Sequence, residues 1–170
     1  GRFYTEMMQA FCAQGRGRVW RLRFGDKVVA MDLCIEGGDT LVVLKTAFDP
    51  DYRNVSPAFL LKQDAFRQVF DEGSIRRIEF YGVGNSGIVA LDAQHKLFRY
   101  GMPVASYVDG HTMGMAATLL RRGDVVIAIS ASGRTTDMLG SVEIARDAGA
   151  KVIAITTSDS PLSKISAVTL

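Results

Sequence analysis

The chain has 170 residues, 48% hydrophobic and 22% charged, which suits one domain or two very small ones of ordinary globular composition. A net charge of +2 gives no strong electrostatic case for nucleic acid, and the longest apolar runs fall short of the ~20 residues that cross a bilayer. Cys12 and Cys34 offer neither metal-ligand spacing nor a redox pair, so they read as reduced thiols of a cytoplasmic protein without a metal. No stretch resembles a signal peptide. The chain starts at Gly and stops at "SAVTL", inside an apolar run, so it reads as cropped at both ends.

In chain order, residues 1–14 predict an amphipathic helix with Phe3, Met7, Met8 and Phe11 on one face. In "VWRLRF", Trp20, Leu22 and Phe24 alternate with Arg21 and Arg23, the period of a half-buried strand, so the basic run at 16–23 is a strand's wet face rather than a nucleic-acid patch. "GD" turns into "KVVAMDLCIE", and "GGD" turns into "TLVVLKTAF", which makes a three-stranded antiparallel meander. "DPDYRNV" reads as a polar loop. "SPAFLLKQDAFRQVF" opens a helix with Ser56 as N-cap and Pro57 at the first position. Its Ala58, Leu61, Ala65 and Val69 lie at helical spacing, and "DEGS" stops it.

From Ile75 the pattern changes. Strands "IRRIEFYGV", "PVASYVD", "DVVIAIS" and "KVIAITT" alternate with helices running from "GNSG" to about Tyr100, over 112–120, and over 135–148. That alternation predicts parallel βαβ units with helices on both faces, and the near-continuous apolar strands from Asp124 onward fit burial on both sides. The expected class is α/β in the second half, preceded by an antiparallel α+β segment of meander plus helix. The expected units are 1–74 and 75–170.

Three loops at the carboxyl ends of the parallel strands carry glycines or hydroxyls: "GVGNSG" at 82–87, "SASGRT" at 130–135 and "TTSDSPL" at 156–162. The first matches G-x-G-x-x-G, and Asp109 ends the next strand where a ribose contact would fall, so an NAD site is one reading. A plain strand-to-helix turn with Ser86 as helix N-cap is another. The second loop favours a phosphate cradle over both. Gly133 shapes its turn, Ser130, Ser132 and Thr135 can donate hydrogen bonds, and the following helix turns its N–H groups and positive dipole end to the ligand. Such a site holds an anion without requiring Lys or Arg.

Taken in order, G-x-G-x-S-G, S-x-S-G-x-T and I-T-x…S-P-L over about residues 75–170 resemble a sugar isomerase (SIS) domain, of the kind found as sensor in RpiR/HexR-type bacterial regulators. The resemblance implies a flavodoxin-like parallel sheet that binds a phosphorylated sugar. Gly84, Asn85, Ser86, Ser130, Ser132, Gly133 and Thr135 would form the ligand site, with no cofactor and no catalytic residue. The regulators carry a helix-turn-helix; none precedes the SIS part in these residues, so the chain is expected not to contact nucleic acid directly. SIS domains commonly pair, which implies a homodimer. Enzymatic relatives use Glu or His as acid or base. Here His95 falls mid-helix and reads as a surface residue, His111 lies nearer the ligand edge, and Glu79 lies within the first strand, away from it.

The first half, about residues 1–81, resembles part of an acetyltransferase (GNAT) domain of the FemAB-like and cellulose-biosynthesis branch, through Lys45, Ala47, Phe48, Asp49 and Tyr52, then Ser56-Pro57-Ala58. By that likeness the helix start at Ser56 and Ala58 would receive the pyrophosphate of acetyl-CoA or another acyl-CoA. Ala58 departs from the glycine expected there, and only the middle of such a domain is present. Three readings follow: sugar-phosphate sensing without catalysis, acyl-CoA-dependent N-acyl transfer, and a chimera of two α/β proteins joined at the strand 75–81 with no selected activity. If the chain is an enzyme, it is a sugar-phosphate isomerase or an acyltransferase.

Overall fold

The computed structural model describes residues 2–37, 40–73 and 75–170. The turn positions Gly38 and Asp39, the helix stop at Ser74 and the side chain of Val69 lie outside the described residues. The chain divides into two units, Gly1–Phe66 and Arg67–Leu170.

In the first unit, β1 (Gly17–Phe24), β2 (Lys27–Gly37) and β3 (Thr40–Phe48) pair antiparallel in the order β1-β2-β3, the expected meander. Helix α1 (Arg2–Ala13) buries Met8, with Tyr4, Met7 and Phe11 half-buried beside it. Phe3 is 68% exposed, a correction to the predicted face. The packed stripe runs through Tyr4, so Phe3 lies one position off it, its ring edge-to-face with that of Tyr4 and the ring centroids 5.5 Å apart. The polar loop after β3 is in fact a 3-10 turn, Pro50–Val55. The Asp49 carboxylate caps it by accepting the Asp51 N–H at 3.0 Å, and also pairs with Lys27 at 2.8 Å. Those contacts, the Lys27 hydrogen bond foremost, hold the Asp49 carboxyl below the ordinary range.

Helix α2 (Pro57–Glu72) starts on proline as predicted and buries Leu61 and Ala65. Ser56 is a left-handed residue (φ 49°) rather than the extended N-cap that was expected. It closes the 3-10 turn, its N–H donating to Arg53, while its carbonyl accepts the Phe59 and Leu60 N–H groups. From α2, the Lys62 ammonium reaches fully buried Asp32 on β2 at 3.1 Å and the Thr46 hydroxyl on β3 at 2.9 Å. Cys34 is buried on the same strand, and desolvation pushes its thiol up to about 11, whereas Cys12 is exposed. A thiol reagent at neutral pH is therefore expected to modify one cysteine in the folded chain and two in denaturant. Rapid labelling of both in the folded chain would contradict this packing.

In the second unit, β4 (Arg77–Gly82), β5 (Val104–Tyr107), β6 (Asp124–Ser130), β7 (Lys151–Thr156) and β8 (Val168–Thr169) form a parallel sheet in the order β5-β4-β6-β7-β8. Counted within the sheet this is 2-1-3-4-5, the flavodoxin-like order. Its helices are α3 (Asn85–Phe98), α4 (Gly110–Ala117), α5 (Thr136–Asp147) and α6 (Pro161–Ile165). On one face Tyr81, Val126, Ala128, Val152 and Ala154 pack with Met113, Met138, Val142 and Leu162; on the other Phe80 and Ile129 pack with Ala90 and half-buried Leu97. Helix α6 and strand β8 arise where the sequence suggested only loop and cropped end. Among the described residues no helix is long and apolar enough to cross a membrane.

Candidate functional site at the switch point of the parallel sheet

In a sheet of this order, the crevice outside the carboxyl ends of the strands opens where the strand order reverses, here between β4 and β6. The register pairs Gly82 with Ile129 and Ser130 with Thr156, so the three loops leave one sheet edge side by side.

The 82–87 loop turns tightly. A Cβ on Gly82 would lie 2.7 Å from the Ser86 carbonyl carbon and 2.9 Å from the Gly87 nitrogen, so only glycine lets the chain double back there. Gly84, not Ser86, is the N-cap of α3, its carbonyl accepting the Gly87 N–H at 3.0 Å. Helix α3 thus starts at exposed Asn85, and half-buried Ser86 sits in its first turn, with its hydroxyl left out of the cap.

The 130–135 loop is held from within. The buried Ser130 Oγ accepts the Gly133 N–H at 3.1 Å, and exposed Ser132 Oγ accepts the Arg134 N–H at 3.3 Å. Each hydroxyl oxygen is engaged as acceptor, which leaves its proton to donate to a ligand. Thr135 is the extended N-cap of α5 (φ −65°, ψ 114°); its hydroxyl makes no capping bond and its carbonyl accepts the Leu139 N–H. The α5 N-terminus adds roughly half a positive charge.

The 156–162 loop braces the second. The Thr157 hydroxyl donates to the Ala131 carbonyl at 2.6 Å, and the Leu162 N–H donates to the Gly133 carbonyl at 3.1 Å. Ser160 is buried, caps α6 by accepting the Ser163 N–H at 3.1 Å, and lies 3.4 Å from the Thr156 hydroxyl. This loop's hydroxyls are legible in the sequence, yet none of them falls among the expected site residues. Ser160-Pro161 repeats the Ser-Pro helix start seen at 56–57, which was the legible signal.

Asp109 is committed elsewhere. Its carboxylate caps α4, accepting the Thr112 hydroxyl and the Thr112 N–H (2.9 Å), and these bonds hold it below the ordinary range. That use of Asp109, together with a second hydroxyl-rich loop, argues against the dinucleotide reading. His95 is exposed on α3, as expected. His111, exposed in the first turn of α4, lines an open cleft of about 430 Å³ with Asp137 and Ser141. Glu79 is fully buried three residues before the β4 edge, where its carboxylate accepts the Tyr81 hydroxyl at 2.8 Å. Ser56 and Ala58 lie in the other unit.

A model of the SIS domain matches residues 74–170, and a model of the acetyltransferase (GNAT) domain matches residues 1–97. The chain belongs to both families. The matches overlap at 74–97; of that overlap, the structure places β4 in the parallel sheet and packs α3 against one of its faces. Among relatives, the "Bifunctional protein glk" of Paraburkholderia xenovorans is 53% identical over 95 residues, 56% of this chain and 15% of that protein. The "HTH-type transcriptional regulator RpiR" of Escherichia coli is 45% identical over 91 residues, 53% of this chain and 31% of that one. The chain thus spans less than a third of either relative. The Vibrio vulnificus NanR protein, solved in complex with ManNAc-6P, superposes with a TM-score of 0.56 at 27% identity, over 64% of this chain and 42% of NanR. The SIS part is thus similar to a part of RpiR and to a part of the glk protein, and the GNAT segment precedes it.

Proposed function

We propose that the SIS part binds a phosphorylated sugar at the β4–β6 switch point and acts as a sensor without catalysis. The observation that carries this is the convergence of the 82–87 and 130–135 loops on one sheet edge, with hydroxyls that have protons to spare at the start of α5. Gly84, Asn85, Ser86, Ser130, Ser132, Gly133 and Thr135 form the site; Ser130, Ser132 and Thr135 donate to the phosphate along with the α5 N–H groups. The ManNAc-6P complex of NanR supports this class of ligand. The reading needs no cofactor and includes a cytoplasmic homodimer without direct nucleic-acid contact, checked by light scattering. The GNAT match supports a second reading, acyl-CoA binding at the start of α2 near Ser56 and Ala58, with N-acyl transfer.

Thermal melting separates them, because a ligand of the native state raises Tm by mass action. A rise with millimolar ManNAc-6P or glucose 6-phosphate, but not with inorganic phosphate, is expected. A rise with acetyl-CoA alone would transfer the activity to the GNAT segment, and no response to any of them would favour a chimera without selected activity. Ser86→Ala and Ser130→Ala are each expected to weaken sugar-phosphate binding by roughly 1–3 kcal/mol, measured by calorimetry. Ser130→Ala also strands the Gly133 N–H, so it should cost stability as well, about 1 kcal/mol, whereas Ser86→Ala should not. Native affinity in both variants would remove these residues from the site.

A further inference from the structure

We infer that Thr157 is a positioning residue that sets the direction of the backbone dipoles in the 130–135 loop; the functional consequence rests on the sugar-phosphate reading above. A backbone anion site works only if N–H groups face the anion and carbonyl oxygens face away, because a carbonyl swung inward presents negative charge to a phosphate. Two carbonyls of this loop are captured by the 156–162 loop. Ala131 is held by the Thr157 hydroxyl at 2.6 Å, and Gly133 by the Leu162 N–H at 3.1 Å. The first bond is made by a side chain, so it can be removed without touching the main chain.

The position supports this role over a folding role. Thr157 and Ala131 are both exposed, so the bond contributes little to the core. The bond joins residues 26 apart in sequence, one following β6 and the other following β7. It therefore fixes one loop against another, at a point where the peptide after Ala131 is free of strand or helix hydrogen bonding. Ser132, whose hydroxyl is expected on the phosphate, is the next residue. A rotation of the 131–132 peptide would turn the Ala131 oxygen toward the anion and withdraw the Ser132 N–H together.

The test compares Thr157→Val, which keeps the shape and loses the donor, with Thr157→Ser, which keeps the donor. Thr157→Val is expected to weaken ManNAc-6P or glucose 6-phosphate binding about tenfold, with Tm within a degree or two of native. Thr157→Ser should restore most of the affinity. Amide hydrogen exchange of the full chain without ligand is the independent readout: in Thr157→Val, exchange over residues 131–135 should speed up while the β6 and α5 amides stay as they were. Native affinity in Thr157→Val, or unchanged exchange over 131–135, would overturn the assignment. If the native chain binds no sugar phosphate, it is the functional reading that fails. The exchange result then decides the positioning role alone: acceleration supports it, and no change removes it.

Discussion

Gly133→Ala is expected to abolish sugar-phosphate binding and to lower folding stability by about 2–4 kcal/mol. Two effects add. Gly133 has φ +61°, where an L side chain costs roughly 1–2 kcal/mol. The space is also taken: a Cβ there would fall on Ser160 Oγ, 2.6 Å from Ser160 Cβ and 2.5 Å from Thr156 Oγ1. Neither neighbour steps aside easily. The Ser160 oxygen caps α6 and its side chain is buried, and the Gly133 carbonyl is tied to the Leu162 N–H. Relief must come from moving one loop off the other, and that displaces Ser132 and Thr135 from the cradle. Gly140→Ala in α5 is the control, since its added Cβ meets nothing within 4 Å. It should leave binding intact and add roughly 0.5–1 kcal/mol. Urea midpoints and ligand-induced Tm shifts of both variants check the pair; native values for Gly133→Ala would show that the two loops are not pinned together.

The contrast between those glycines shows what a sequence carries and what it hides. The parallel sheet was legible because its strands are long apolar runs and its helices begin where hydroxyls and glycines cluster, both local signals. The meander was legible because Trp20, Leu22 and Phe24 alternate with arginines and short glycine turns follow. Helix α6 and strand β8 were missed: five and two residues are too few for a period, and β8 exists only because Val168 finds Ile153 alongside. Ser86 was expected to cap α3, but the tight turn at Gly82, which runs close to the Ser86 backbone, brings the N-cap forward to Gly84; the motif marked the turn without fixing which residue caps the helix. The brace from Thr157 to Ala131 was invisible for a different reason: it is a tertiary contact without a local signature. Its residues could be named as hydroxyl-bearing, but their partner lies one βα unit away.

Glu79 was legible as a strand residue, but not as a buried acid, and it yields the largest stability prediction. Its side chain is fully buried, and desolvation, the largest influence, raises its carboxyl above the ordinary range against the opposing pull of the Tyr81 hydroxyl and Arg77. Arg77 Nη2 lies 3.1 Å from Oε1, yet neither atom makes a hydrogen bond, so the contact is electrostatic. The same guanidinium also faces buried Asp124, with Nε 3.6 Å from Oδ2, so its charge is shared between two acids. Glu79→Ala would strand both partners: the Tyr81 hydroxyl loses its acceptor in the core, Arg77 loses one carboxylate, and a cavity opens. About 3–5 kcal/mol of destabilisation is expected. Glu79→Gln keeps an oxygen for Tyr81 and should cost no more than about 1 kcal/mol at neutral pH. The pH dependence follows from the sign of the shift. A raised acid binds its proton more tightly folded than unfolded, so its stabilising contribution is complete below the unfolded value near ~4.3 and is lost as pH rises through the folded value. Glutamine has no proton to lose. Urea midpoints of the native chain should therefore fall across that window relative to those of Glu79→Gln, and converge toward them at its acid end. Parallel curves would mean that the Tyr81 hydroxyl and Arg77 offset the desolvation in full, so that Glu79 binds its proton equally well folded and unfolded.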